Sequence, residues 1–471
     1  MKFWQPTVLS LALMAAFPLS AHAQSMDEMR KELKALKDQV NALEQKLKTS
    51  DAAKAADKPA EKQWGMTPEQ VQDFNRISLK TEALEDSRDA MGFTGLKISG
   101  QMDPTYIYNR NQNRAGFQFL NSVSDDGYNY DNSYFGMAML DIQKEMEGGT
   151  LWRLTLAPNR GVGSVFGGDN SIVHEASVSV PLWDQNTRLI AGQVPDWSGY
   201  EYLQPTLNKL ITHNLLFDFT LPTAYTGAGM QITSGKWIVK GMVANMNATK
   251  RASGEKTPVL AYRVDYSKGE YQGFGFAGVH GKAANLRAAD VDPNGNPNVN
   301  PITTDAYDSR DTAVNLFEAD AYFIRGDWTL QGQVSYAQQS RAAITADPDT
   351  GDLRDAKWWG VSGLAAYKFQ PRLEGIVRVD YLNNKKNGGG LLGYNFNDPR
   401  NGIGFDPSGD PEVGANRYAL SVGMGYLFTT NTTFKLEYRY DRASQPVFLY
   451  VKDGTFKKSN NVLGTSVVVS F

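Results

Sequence analysis

The sequence predicts an all-β chain: a 16-stranded antiparallel transmembrane β-barrel that follows an N-terminal helical coiled coil. Three observations carry that expectation. Past residue 93, apolar and polar residues alternate with period two over segments of about ten residues, the length that spans a bilayer as a tilted strand. The connections between those segments alternate short and long along the chain. The chain has 44 Gly, 22 Tyr, 22 Phe and 9 Trp, yet past the N-terminus no apolar run is long enough for a membrane helix.

Composition excludes several functions. Lys plus Arg is 48 against 51 Asp plus Glu, a formal net charge of −3, so no nucleic-acid partner is expected. With no cysteine there is no disulfide framework, no thiolate metal site, no cysteine nucleophile and no lipid-acylation site.

The elements follow in chain order. Lys2, the apolar stretch Val8 to Phe17 and the small-residue site Ala21-His22-Ala23 read as a signal peptide over residues 1–23, leaving Gln24 as the mature start. Residues 24–48 carry a heptad. Met26, Leu33, Val40 and Leu47 fall at a positions, and Met29, Leu36 and Leu43 at d. So narrow an apolar stripe, flanked by Lys, Glu, Asp and Gln, wants a partner helix rather than a globular surface. Residues 49–92 form a linker and a short helix. Thr67-Pro68-Glu69-Gln70 supplies N-cap, N1 proline and N3 glutamine, and Gly92 ends the helix.

Residues 93–471 are the barrel. Strands are expected near 94–109, 133–146, 150–158, 171–182, 187–195, 225–233, 236–246, 257–267, 271–281, 313–325, 327–339, 357–369, 372–382, 416–428, 432–442 and 461–471. In the eleventh, Trp328, Leu330, Val334 and Tyr336 alternate with Thr329, Gln331, Gln333 and Ser335. The second, fifth and ninth alternate poorly. Glu147-Gly148-Gly149, Ser234-Gly235, Lys268-Gly269, Gly326 and Gln370-Pro371 are tight turns, whereas Asn109–Asn132, Ala283–Thr312, Asn383–Ala415 and Ala443–Asn460 are long. An up-and-down barrel in an asymmetric membrane predicts that rhythm, and a Greek-key sandwich does not.

The last strand, with Leu463, Thr465, Val467, Val469 and a C-terminal Phe471 on one face, resembles the assembly signal of Gram-negative outer-membrane proteins. With sixteen strands and an N-terminal coiled coil, the chain resembles trimeric Gram-negative porins, most of all the DcaP-like, dicarboxylate-related subgroup. The resemblance implies a homotrimer in outer-membrane lipid that passes small hydrophilic solutes, organic anions among them. No cofactor and no metal is expected. The resemblance also implies that the connection after strand five folds into the lumen. That connection is Val194 to Thr223, carrying Asp196, Glu201, Lys209, His213 and Asp218. The P-E-F-G-G stretch of general-diffusion porins is absent from it.

A porin lines a water-filled channel with fixed charge, so inward positions are the candidates. The positive ones are Lys97, Arg153, Lys236, Lys240, Arg263, Arg372, Arg378, Arg417, Lys435 and Arg439. The negative ones are Asp103, Asp141, Glu175, Asp265, Glu318, Asp320, Glu374, Asp380, Glu437 and Asp441. Ten against ten gives no selectivity by count. Cations on strands thirteen to fifteen facing an acidic constriction segment would set up a transverse field. Each charge could equally be half of a wall ion pair that only stiffens the barrel.

Two other functions compete with the channel. A barrel hydrolase needs a nucleophile or acid pair near a histidine, but His174, His213 and His280 lie in no catalytic spacing, so no enzyme is expected. A tether is the other: the coiled coil would bind the cell wall or a periplasmic partner, with the barrel as anchor.

Overall fold

The computed structural model describes residues 68–90, 93–119, 135–158, 172–249, 256–267, 271–285, 311–392 and 397–471. The signal peptide and all seven heptad residues, Met26 to Leu47, lie outside them. The chain divides into two compact units, Met1–Ser87 and Arg88–Phe471. The first contains most of helix α1, Pro68–Ala90, which starts at the proline whose missing N–H costs nothing in a first helical turn. Phe74 and Ile77 stand exposed on it.

The second unit is a closed antiparallel barrel of sixteen strands, each paired with its neighbours in sequence. Strand β1 runs Leu96–Met102 and resumes as Thr105–Asn109 after Pro104, which cannot donate to the ladder. Strand β2 is likewise in two segments, Arg114–Gln118 and Ala138–Glu145. There follow β3 Leu151–Leu156, β4 Val173–Pro181, β5 Thr187–Pro195, β6 Ala224–Ser234, β7 Trp237–Met246 and β8 Val259–Ser267. Next are β9 Gln272–Ala284, β10 Asp311–Arg325, β11 Trp328–Gln339 and β12 Ala356–Gln370. The last are β13 Leu373–Asn383, β14 Arg417–Thr429, β15 Thr432–Ala443 and β16 Ser459–Ser470.

Two expectations need correction. Part of the supposed long loop Asn109–Asn132 is strand, because Arg114–Gln118 folds back on Thr105–Asn109 through a tight turn closed by Asn113 at φ 49°. The ninth strand runs on to Ala284, paired there with Asp311.

Closure is made by β1 on β16, with Thr105 opposite Ser466 and Tyr106 opposite Thr465. The Phe471 N–H donates to the Gly100 carbonyl (3.0 Å), and the Gly100 N–H donates back (3.2 Å). A sheet closed on itself has no unpaired edge, the condition for lying in hydrocarbon. The outward face is apolar: Val334, Val377, Val379, Leu420, Val422 and Leu436 are all exposed.

Aromatic rings bound that face at both ends. Near the short turns, Trp237, Tyr266 and Phe274 pack together, as do Trp328, Tyr367 and Phe369. Near the long loops, Trp359, Tyr381 and Tyr418 do the same. From Trp328 to Tyr336 is about 26 Å along the strand, or about 20 Å after a 40° tilt, comparable with the apolar band of an outer-membrane barrel.

Candidate functional site: the constriction segment and the lumen

Residues 196–223, between β5 and β6, fold into the barrel and pack on the inward face of β12–β15. Their one helical turn, α2 Leu215–Phe219, starts at Asn214, whose side chain accepts from the N–H groups of Leu216 and Phe217 (2.9 and 2.8 Å). Small wall residues admit it. A Cβ on Gly360 of β12 would lie 2.3 Å from the Leu216 Cδ2, so only glycine lets that leucine seat.

Buried charge holds the segment down. Arg378 is fully buried. It donates to Glu201 (2.9 Å) and to the backbone carbonyls of Thr212 (2.6 Å) and His213 (2.8 Å). Arg439, equally buried, donates to the same His213 carbonyl (2.6 Å) and to Asp441 (2.9 Å), with Asp218 3.8 Å away. Glu437 accepts from the N–H groups of Ile211 and Thr212 (2.8 and 2.7 Å) and from the Thr212 hydroxyl (2.6 Å). Lys435 donates to the carbonyls of Pro205 and Asn208 (both 2.6 Å), while Lys209 reaches back to Glu374 (2.7 Å).

Arg417 joins a second tier. It donates to Asp441 (2.9 Å) and to the Gly402 carbonyl (3.1 Å) of the outer loop after β13, and lies 4.5 Å from the Phe448 ring and 5.7 Å from that of Phe219. Around it pack buried apolar residues, Trp358, Leu382, Leu391, Ile403, Val447 and Phe448, in one cluster that also includes Met242, Val279, Val314 and Leu316.

Burial sets the chemistry of the segment's own titratable groups. It pushes the Glu201 carboxyl up to about 7, against the pull of Arg378, and the His213 imidazole down to about 3. His213 is therefore neutral at ordinary pH. Its Nε2 meets the Tyr202 carbonyl at 2.8 Å, which requires the proton on that nitrogen, and its ring stacks on Phe217 (4.1 Å). Asp196 accepts from the Tyr225 hydroxyl (2.6 Å) and from Ser198, and its carboxyl is also raised by burial.

On the side of the short turns a cavity of ≈ 1220 Å³ remains, bounded by the segment and by the inward faces of β3–β11. Arg153, Glu175, Asp196, Glu201, Lys240, Arg263, Asp265 and Asp320 line it, together with Arg188, Trp197, Tyr202 and Gln231. Arg153 lies 2.9 Å from Asp141 and 3.2 Å from Glu175. Arg263 is bidentate to Asp320 (2.7 and 3.0 Å) and bonds Asp265 (2.7 Å) and the Trp197 carbonyl (2.7 Å), with Glu318 3.7 Å away. It crosses over Gly275 of β9, where a Cβ would sit 2.4 Å from its guanidinium. The ninth strand alternates poorly because its inward positions are Gly275, where the guanidinium takes the place of a side chain, and the buried Ala277 and Val279 rather than polar residues.

The sequence candidates thus separate into groups. Arg378, Asp380, Lys435, Glu437, Arg439 and Asp441 are covered by the constriction segment and paired with it or with one another. Arg153, Glu175, Arg263, Asp265, Asp320 and Lys240 line the cavity, and Glu318 is buried beside it. Asp103 is buried at the break in β1 and bonds the Met137 N–H. Lys97, Lys236 and Arg372 are exposed near the short turns. Sequence reasoning passes over Arg188, Trp197, Tyr202 and Gln231. Arg188 shares its face with Ile190, Gly192 and Val194, so alternation alone does not mark it as polar lining.

A family model described as "Protein of unknown function (DUF3138)" matches residues 65–471. No curated protein matches the chain. Among solved structures, the chain is similar to an anion-selective porin from Comamonas acidovorans, at 10% identity and TM-score 0.46, over 80% of this chain and 99% of that one. It is similar to in-vitro folded OmpT, an outer membrane protein of Vibrio cholerae, at 12% identity and TM-score 0.47, over 80% and 97%. It is also similar to Pseudomonas putida OprB in a high-pH structure, at 11% identity and TM-score 0.48, over 82% and 96%.

Proposed function

We propose that this chain, which belongs to the DUF3138 family, is an outer-membrane channel through which small hydrophilic solutes diffuse passively. The premise is its place in the cell. A closed barrel with an apolar outer face, two aromatic girdles and, from β2 onward, short turns alternating with longer connections is a protein of the Gram-negative outer membrane. The observation that carries the functional reading is the charged, ≈ 1220 Å³ cavity inside that barrel, narrowed by a segment bonded to the wall. Fixed charges and peptide groups at the wall stand in for the water a polar solute sheds on entry.

Organic anions belong among those solutes, because Arg188 and Lys240 present cationic groups to the cavity. The channel self-associates, as a homotrimer, with residues 24–48 forming a periplasmic coiled coil. His213 is a neutral, hydrogen-bonded packing residue of the constriction segment.

The test is planar-bilayer recording of the purified chain under a salt gradient. Discrete ohmic steps are expected. Their absence, with the barrel folded as judged by heat-modifiable migration, would overturn the channel reading and leave the membrane tether.

A further inference from the structure

Strand pairing reveals a charge pattern that alternation along single strands hides. Arg188 of β5 stands opposite Gln231 of β6, Gln231 opposite Lys240 of β7, and Lys240 opposite Arg263 of β8. All four face the cavity in one row. Among the described residues, neither Arg188 nor Lys240 has a carboxylate within ion-pairing distance. Arg188 donates to neutral acceptors: the Ser179 hydroxyl (2.7 Å), the carbonyls of Gly149 (2.7 Å) and Ser179 (3.0 Å), and Gln185 (3.4 Å). Lys240 lies 4.9 Å over the Trp197 ring.

The next strands carry the opposite sign. Arg263 is a single cation among Asp265, Asp320 and Glu318. Among the strand residues that line the cavity, those of β5–β7 are therefore net positive and those of β8–β10 net negative, with Asp196 beyond the end of β5 bonded to Tyr225. Lys240 and Asp265 are diagonal neighbours on adjacent strands, a separation of about 7–8 Å between backbones that long side chains shorten. A plain anion would gain from the first wall and be repelled by the second. A solute carrying both charges a few ångströms apart satisfies both.

We infer that the cavity is a binding subsite for small zwitterions of the free amino-acid class. The carboxylate meets Lys240 and Arg188, and the ammonium meets Asp265 and Asp320. The inference rests on the channel reading for its physiological role, and its test separates the two.

The purified full chain in liposomes is given L-alanine, N-acetyl-L-alanine, L-alanine amide and the uncharged sugar arabinose, and swelling rates are compared at one osmolarity. Alanine is expected to enter several-fold faster than its acetylated anion or its amide cation, and K240Q with R188Q to reduce that advantage to parity while arabinose still enters. Arabinose entry with no alanine advantage would overturn the inference and leave the channel standing. If arabinose does not enter, the channel reading fails. The subsite is then read by titrating alanine into the detergent-solubilised chain and following tryptophan emission, with W197F as the reference. Saturation by alanine that K240Q abolishes supports the subsite, and a flat titration overturns it.

Discussion

Replacing Arg378 with methionine should release the constriction segment. In the folded chain its guanidinium is fully buried and donates to Glu201, to two backbone carbonyls and to the Thr212 hydroxyl, at 2.6 to 3.0 Å. Methionine fills much of the volume and supplies none of those donors. Glu201, Asp380 and Glu437, which lie 2.9, 3.3 and 3.8 Å from that guanidinium, then lose their shared cation. Breaking one partner out of a buried ion pair costs about 3–5 kcal/mol, mostly because the other charge stays desolvated. At about 1.4 kcal/mol per tenfold, the released fraction rises by roughly a hundredfold to a few thousandfold. In bilayers R378M should show larger or flickering conductance steps, and a protease should cut within residues 196–223 that the parent protects. The double variant R378M/E201Q removes the stranded carboxylate and should recover part of the parent's protection. Parent-like conductance and protection in R378M would refute the idea that buried charge holds the segment in place.

Three further outcomes are expected. Gly360→Val places a Cβ where Leu216 now packs, an overpacking that costs about 1–3 kcal/mol, and should lower the heat-modification midpoint and raise the frequency of open-state flicker. Deleting Phe471 removes two of the backbone bonds by which β16 closes on β1, together with its outward ring, so the chain should collect as unfolded periplasmic protein, and normal heat-modifiable barrels would contradict this. A protease-cleavable tag between Ser408 and Gly409, exposed in the outer loop after β13, should be cut on intact cells, whereas one at the Gly326 turn should be cut only after the outer membrane is opened.

The strands are legible in the sequence because one physical constraint, lipid outside and polar groups inside, repeats along every one of them. In β15, Phe434, Leu436 and Tyr438 face outward while Lys435, Glu437 and Arg439 face inward, and a slip of one residue would turn all three charges into hydrocarbon. The site is less legible. Alternation says which residues point inward, but not whether they meet water or a folded-in segment. Arg378 and Arg263 look alike in sequence, yet one is sealed under residues 196–223 and the other faces a cavity. The row from Arg188 to Arg263 depends on how four strands pair, and Arg188 sits among apolar inward neighbours that hide it.

The two sets of charges should answer to different measurements. Residues 196–223 are bonded to β12–β15, and Arg417 ties that wall to the outer loops through Gly402 and Phe448. In the proposed channel a solute meets the opposite wall, in the cavity lined by β3–β11. Charges under the segment are neutralised at contact distance and fix the bore, while those on the opposite wall meet the solute and fix preference. R378M should therefore change step size more than reversal potential, because the lost charge is shielded from the path. K240Q should change reversal potential more than step size, because it removes a cation that, among the described residues, faces the cavity without a carboxylate at pairing distance, and it leaves the segment's hydrogen bonds to β13–β15 intact. If both variants move both quantities alike, the clamp and the selectivity wall are one structure, and burial does not separate them.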